Sequence, residues 1–309
     1  QVATTTRLYL RTRLESLSTD LHALLSVLTD NAARHVNVII PGYTHMQQAQ
    51  PISMGHYWLS WYEAFSRDNE RLNFALASLN ECPLGAGALA GSTLPIDREM
   101  TSELLGFSHP TRNSLDSVAS RDYMMDYHHF ASTFMIHVSR LCTDLITWNT
   151  QEFGFVVLPD EFCTGSSMMP QKKNPDVLEL ARGKTGQVIG NMIDLIVNLK
   201  GLPMTYNRDL QEDKRGLWAS LDTVEAVVRV MSALLEKVDI DEAKALAGFG
   251  KGYSLATDIA EFLVLKGIPF REAHAIVGRL VGWCIENGKS FDELTDSQWK
   301  EHGIDESVR

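Results

Sequence analysis

The stretch Leu10-Arg11-Thr12-Arg13-Leu14-Glu15-Ser16-Leu17-Ser18-Thr19-Asp20-Leu21-His22-Ala23-Leu24-Leu25-Ser26-Val27-Leu28 sets leucine alternately four and three residues apart. That spacing is a heptad seam, the mark of a helix packed lengthwise against others. Four further segments share a helical rhythm. Residues 54–79 carry Trp58, Trp61, Phe65, Leu72 and Leu76 on one face. Residues 116–148 carry Phe130, Phe134, Val138, Leu141 and Leu145, and 176–199 are apolar on more than one side. The fifth segment repeats the seam at Leu217, Leu221, Val224, Val228, Met231 and Leu235.

Five long helices with few alternating stretches between them predict an all-α fold built on an elongated five-helix bundle. The connections carry Gly and Pro, at Pro51, 85–91, Pro110, 165–175 and 201–203. After residue 239 the segments shorten, and 254–266, 269–287 and 296–302 read as small helices. The expected division is therefore a central helical bundle domain at 1–238 and a small helical C-terminal domain at 239–309. Apolar character all round 188–199 calls for neighbours on every side, from this chain or from other subunits.

Of the 309 residues, 44% are hydrophobic and 22% charged, which suffices for a sizeable core. The 39 acidic residues outnumber the 28 lysines and arginines, for a formal charge of −11. Such a surface repels phosphate backbones and anionic membranes, so neither nucleic acid nor membrane is an expected partner, and an anionic substrate needs a local basic site. Cys82, Cys142, Cys163 and Cys284 form no C-x-x-C pair or zinc-like spacing. Reduced thiols in a cytoplasmic protein are the simplest reading, and no signal-peptide pattern or spanning apolar run contradicts it. Neither a metal ligand cluster nor a dinucleotide fingerprint appears, so no metal or cofactor is expected.

The chemistry concentrates in Thr164-Gly165-Ser166-Ser167-Met168-Met169-Pro170-Gln171-Lys172-Lys173-Asn174-Pro175. One reading is a solvated basic loop before the next helix. The other is a reactive segment. Removing a proton alpha to a carboxylate builds negative charge there, which Lys172, Asn174 and N–H groups at a helix start can stabilise. Ser166 can take a proton only if its alkoxide sits in a positive, water-excluded setting. Gly165 lets such a loop close over substrate.

This loop resembles the signature loop of the fumarase/aspartase superfamily, roughly G-S-S-x-M-P-x-K-x-N-P. The form Pro170-Gln171-Lys172-Lys173-Asn174-Pro175-Asp176 is similar to the argininosuccinate lyase and δ-crystallin branch. Gly42-Tyr43-Thr44-His45-Met46-Gln47 with Ala49-Gln50-Pro51 resembles the family's G-Y-T-H-x-Q…A-Q-P segment. Thr205-Tyr206-Asn207-Arg208-Asp209-Leu210-Gln211-Glu212-Asp213-Lys214 is similar to T-Y-N-[KR]-D-L-Q-E-D-K, though it also reads as a charged helix start capped by Asn207 or Asp209. Asn113-Ser114-Leu115-Asp116 and Ser120-Arg121-Asp122 resemble N-S-x-D…S-x-R-D more loosely, and Arg121 reads equally as an anion contact or as part of an Arg–Asp surface pair early in a helix.

The resemblance implies β-elimination of argininosuccinate to arginine and fumarate, by all-α homotetramers whose active sites are shared between subunits. It implies catalytic roles for Ser166, His45, Glu179 and Lys172, with Glu179 pairing the histidine and raising its pKa. Which of Ser166 and His45 is base and which acid stays open. Thr44, Asn174, Tyr206, Gln211, Lys214 and Arg121 are the implied substrate contacts. Other lyases of the superfamily and a δ-crystallin-like structural role are the alternatives. The family's N-terminal domain, with an S-R-N-D segment that contacts substrate, would precede Gln1, and a chain without it is expected to be inactive alone.

Overall fold

The computed structural model describes residues 1–249 and 253–304; of the expected 239–309 domain, 250–252 and 305–309 lie outside the described residues. In chain order the elements are α1 (Val2–Arg34), β1 (Ile39–Thr44), β2 (Gln47–Ser53), α2 (Met54–Ser78), β3 (Glu81–Cys82), α3 (Arg98–Leu104), β4 (His109–Pro110), α4 (Ser114–Ala119) and α5 (Asp122–Asn149). Then follow β5 (Val156–Val157), β6 (Thr164–Gly165), β7 (Lys173–Asn174), α6 (Asp176–Leu199), α7 (Asp213–Lys237), β8 (Asp239–Ile240), α8 (Glu242–Ala247), α9 (Ala256–Leu265), α10 (Phe270–Asn287) and α11 (Asp296–Glu301). The class is all-α. The strands form two-stranded pieces, of which only β1–β2 exceeds two residues per strand.

Two compact units divide the chain. One comprises 1–31, 58–147 and 158–238, the other 32–57, 148–157 and 239–309. The step at 238/239 coincides with the expected boundary, but 32–57 and 148–157, expected in the bundle, fall with the second unit. Strand pairing gives the reason for the shorter segment, since Val156 and Val157 lie opposite Ile240 and Asp239 in an antiparallel ladder.

The first unit is the bundle. All six seam leucines of α1 are fully buried, as are Leu217, Leu221, Val224, Val228 and Leu235 of α7. Each such side chain removed from water contributes about 2 kcal/mol. Arg13 reaches Asp222 and Glu225 at 2.7 and 2.6 Å, and Arg229 reaches Asp20 at 2.7 Å, so α1 and α7 run parallel. Helix α2 returns antiparallel to α1, placing Ser78's carbonyl 2.9 Å from the Arg7 guanidinium. Between α5 and α6, Thr185 Oγ1 donates to the Met135 carbonyl at 3.1 Å. Gly216 lets α7 approach α6 closely, because a Cβ there would lie 3.1 Å from that of Asn191. Beside it, Asn191 Nδ2 donates to Ser220 Oγ at 2.9 Å.

The expected single helix over 116–148 is two. Asn113 caps α4 by accepting from the N–H groups of Leu115 and Asp116. Ser120 is extended, with ψ 133°, before α5 begins. Apolar periodicity does not register this break, because the residues responsible are polar. Helix α6 buries Leu178, Ala181, Val188 and Leu195 but leaves Leu180, Ile193 and Val197 more than half exposed.

In the second unit, α9 and α10 form an antiparallel pair around Ile259, Leu263, Val277, Leu280 and Cys284, closed by Leu294 and Trp299. Gly288 ends α10 in the left-handed conformation, φ 64°. The same unit holds the β1–β2 hairpin.

Candidate active site

Residues 39–53, expected as a connection, form an antiparallel hairpin with Ile39 opposite Ser53 and Thr44 opposite Gln47. Its register shifts between Pro41 and Tyr43, and Gly42 is needed there because a Cβ would sit 2.8 Å from the Gln50 carbonyl oxygen. The two-residue turn is His45-Met46, at φ 53° and 59°. This is the twist a tight hairpin wants, but it ordinarily calls on Asn and Gly. Two side-chain-bearing residues held there are a strained feature of the kind that collects at functional sites. The hairpin is anchored by Gln48 Nε2 donating to the Gly248 carbonyl at 2.5 Å and by Tyr43 against Phe153, rings 5.5 Å apart. Thr44 and His45 thus stand exposed at the tip of a braced ribbon.

In the first unit, β6 and β7 pair Thr164 with Asn174 and Gly165 with Lys173. Residues 166–172 become the tip of this short hairpin, closed by the Ser166 N–H donating to the Lys172 carbonyl at 3.2 Å. Ser166 Oγ accepts from two backbone N–H groups, Met169 at 3.0 Å and Met168 at 3.3 Å. Hydrogen bonds donated to an oxygen favour its anionic form. The two lysines separate. Lys173 Nζ is engaged by Asp160 at 2.5 Å, whereas Lys172 is exposed and has no ion-pair partner among the described residues. Asn174 is half-buried at the base, and Thr164 Oγ1 donates to the Asp176 carboxylate. Immediately after, the 24-residue α6 starts at Asp176 behind Pro175, which provides no side-chain cap, so its first N–H groups and dipole are left for another acceptor. Glu179 is exposed in that first turn.

A separate cavity of about 580 Å³ in the same unit brings together Arg121, Tyr206, Gln211 and Lys214, with Val2 and Gly87 in its wall. Among its described lining residues only Arg121 and Lys214 carry charged side chains. Thr205, next to Tyr206, has φ 77°, an outlier for a β-branched residue. Ser166, Lys172, Asn174 and Glu179 are not in this lining. The expected site residues therefore fall in three groups: the hairpin turn of the second unit, the hairpin tip and helix start at 166–179, and this cavity.

Two expectations change. Arg121 is not half of a surface pair. It is almost fully buried, Nε donating to Asp213 and Nη1 to the Ser120 carbonyl at 2.9 Å. Nor does Asn207 or Asp209 cap α7: the Asn207 amide donates to the Pro203 carbonyl at 3.2 Å, and the cap residue is Glu212, without a side-chain bond. The residue sequence reasoning passed over is Asp213, whose side chain is fully buried between Arg121 and Lys214. Its place inside a run of charges disguised it as a solvated helix start.

Among the described residues no helix is long and apolar enough to cross a membrane, and no group of three or more His, Cys, Asp or Glu could hold a metal ion.

Comparison with known proteins fits this geometry. A lyase family model matches residues 1–190, and a model described as argininosuccinate lyase C-terminal matches 253–309. The chain is 51% identical over 301 residues to a protein named argininosuccinate lyase from Synechococcus sp. (strain JA-3-3Ab), covering 97% of this chain and 62% of that one. It is 48% identical to the protein of that name from Saccharophagus degradans, covering 96% and 63%. It thus spans less than two thirds of these relatives' length. Among solved structures, EDDS lyase in complex with formate superposes with a TM-score of 0.90 at 29% identity, covering 97% of this chain and 60% of that one. A class II fumarase from Schistosoma mansoni, at 18% identity and TM-score 0.82, shares the fold. The chain belongs to the lyase family, on the argininosuccinate lyase branch of the fumarase/aspartase superfamily.

Proposed function

We propose that the protein to which this chain belongs cleaves argininosuccinate to arginine and fumarate. The observation that carries the reading is the Ser166 hydroxyl, oriented by two backbone N–H groups beside an uncapped helix start and Lys172, which has no ion-pair partner among the described residues. A proton leaves the succinyl carbon alpha to a carboxylate, and the charge that develops is held by Lys172 and Asn174 as an aci-carboxylate. The carbon–nitrogen bond then breaks, the electron pair leaving on the guanidino nitrogen, which takes a proton. Ser166 and His45 divide the base and acid roles. The donors on Ser166 Oγ favour the alkoxide and so favour Ser166 as base. Glu179 orients His45, and Thr44, Tyr206, Gln211 and Lys214 bind substrate.

Within the first unit the 166–179 group and the cavity that holds Arg121 and Lys214 share no lining residue, which fits a site completed by other subunits of a homotetramer, as do the exposed Leu180, Ile193 and Val197 of α6. Reduced cysteines and an acidic surface fit a cytoplasmic enzyme. The test is fumarate release, followed by ultraviolet absorbance, from argininosuccinate added to the full-length protein. Release from adenylosuccinate or aspartate instead would overturn the substrate. No release from any of them would leave the δ-crystallin-like role. This 309-residue chain alone is expected to oligomerise without turnover and to regain activity when mixed with full-length subunits carrying Ser166→Ala.

A further inference from the structure

Asp213 and Lys214 are the first two residues of α7, and neighbours at that spacing do not ordinarily face each other on a helix. Here the ammonium folds back onto the Asp213 carboxylate, and it also donates to the Leu210 carbonyl at 2.9 Å. An ammonium has three N–H donors. Two are thereby fixed, and the direction of the third is fixed with them. Asp213 is itself immobile: its side chain has no solvent exposure, and its second oxygen accepts from Arg121 Nε. Arg121 is held in turn by the carbonyls of Val118 and Ser120, at the break between α4 and α5. Two cations share one carboxylate, which leaves one unit of positive charge in the triad, at the wall of a cavity with no other charged side chain in its described lining.

We propose that Asp213 is a positioning residue that aims Lys214 at a substrate carboxylate, with Arg121 locking Asp213 in place. The inference rests on the cavity being the substrate site. A buried carboxylate serving only stability would need one cation. The second cation, its side chain 24% exposed, is destabilising to order unless its position is used. The break in the expected third helix then has a purpose, since a continuous helix would not deliver the Arg121 side chain and its two carbonyl partners to this point.

The experiment uses the full-length protein with Asp213→Asn, Lys214→Met and the two combined. With argininosuccinate, Asp213→Asn should raise KM about tenfold while kcat stays within about threefold. The double variant should be no worse than Lys214→Met alone. In parallel, amine labelling read by mass spectrometry should find Lys214 modified several-fold faster in Asp213→Asn, with Lys184 unchanged. Because Asp213→Asn strands a buried guanidinium, Arg121→Met with Asp213→Asn provides a charge-balanced background in which the same labelling change is expected. Unchanged Lys214 labelling, or KM losses that multiply, would overturn the proposal. If the unsubstituted protein releases no fumarate from argininosuccinate, the substrate reading fails, and the labelling alone decides whether Asp213 holds Lys214.

Discussion

His128, on α5, is fully enclosed in the bundle, and neither ring nitrogen has a hydrogen-bond partner among the described residues. Its nearest aromatic neighbour is Tyr127, rings 5.6 Å apart. Burial alone pushes its pKa down to about 4. An unfolded histidine titrates near about 6.5, so between those values the unfolded chain binds a proton that the folded chain refuses. Stability contributed by the neutral ring is therefore complete at neutral pH and is lost as pH falls through that window. Full titration is worth on the order of 3 kcal/mol, of which about 2 are lost between about pH 7.5 and about pH 5. His128→Leu removes both the titration and two unsatisfied nitrogens at modest cost in shape. Urea unfolding followed by circular dichroism at both pH values, for both chains, isolates the residue by difference. The wild type should lose about 2 kcal/mol more than the variant on acidification. Equal losses in the two chains would show that His128 is not the source of the acid sensitivity.

Three further outcomes concern the proposed chemistry in the full-length protein. Ser166→Ala should lower kcat by at least about a thousandfold with substrate binding within a modest factor, measured by single-turnover kinetics and calorimetry. Lys172→Met should impair both KM and kcat, whereas Lys173→Met, which removes only an exposed pair with Asp160, should leave kcat within about threefold. His45→Asn and Glu179→Gln should each slow turnover, and the double variant should be little worse than the poorer single. Simple multiplication of the two losses would show that they do not act as a unit.

The bundle was legible because burial on one face must recur at helical spacing, and the leucine seams of α1 and α7 recur with almost no interruption. Most helix ends were legible to within a few residues. What periodicity hides is polar structure. Ser120 and Arg121 interrupt a helix without interrupting its apolar stripe, and the hairpin around His45 is too rich in Gln, Gly and Pro to alternate cleanly. The candidate loop was readable from its composition, but composition could not separate Lys172 from Lys173. Only the position of Asp160 does that. Asp213 was invisible for a related reason, since whether a carboxylate is solvated or enclosed depends on a guanidinium 92 residues away in sequence.

The division of the chain into two units also bears on its synthesis. The chain passes from one unit to the other five times, and the last passage comes at residue 239. The hairpin bearing His45 leaves the ribosome early, yet Gly248, whose carbonyl anchors Gln48, follows 200 residues later. At translation speeds of about 5–20 residues per second the wait is on the order of ten to forty seconds. During that interval β1 lacks α8, which packs against it in the finished fold. A nascent chain of this design depends on holding its early ribbon unpaired with other strand edges until its own C-terminal residues arrive, so slowed translation between residues 58 and 238 should favour aggregation more than loss of helix.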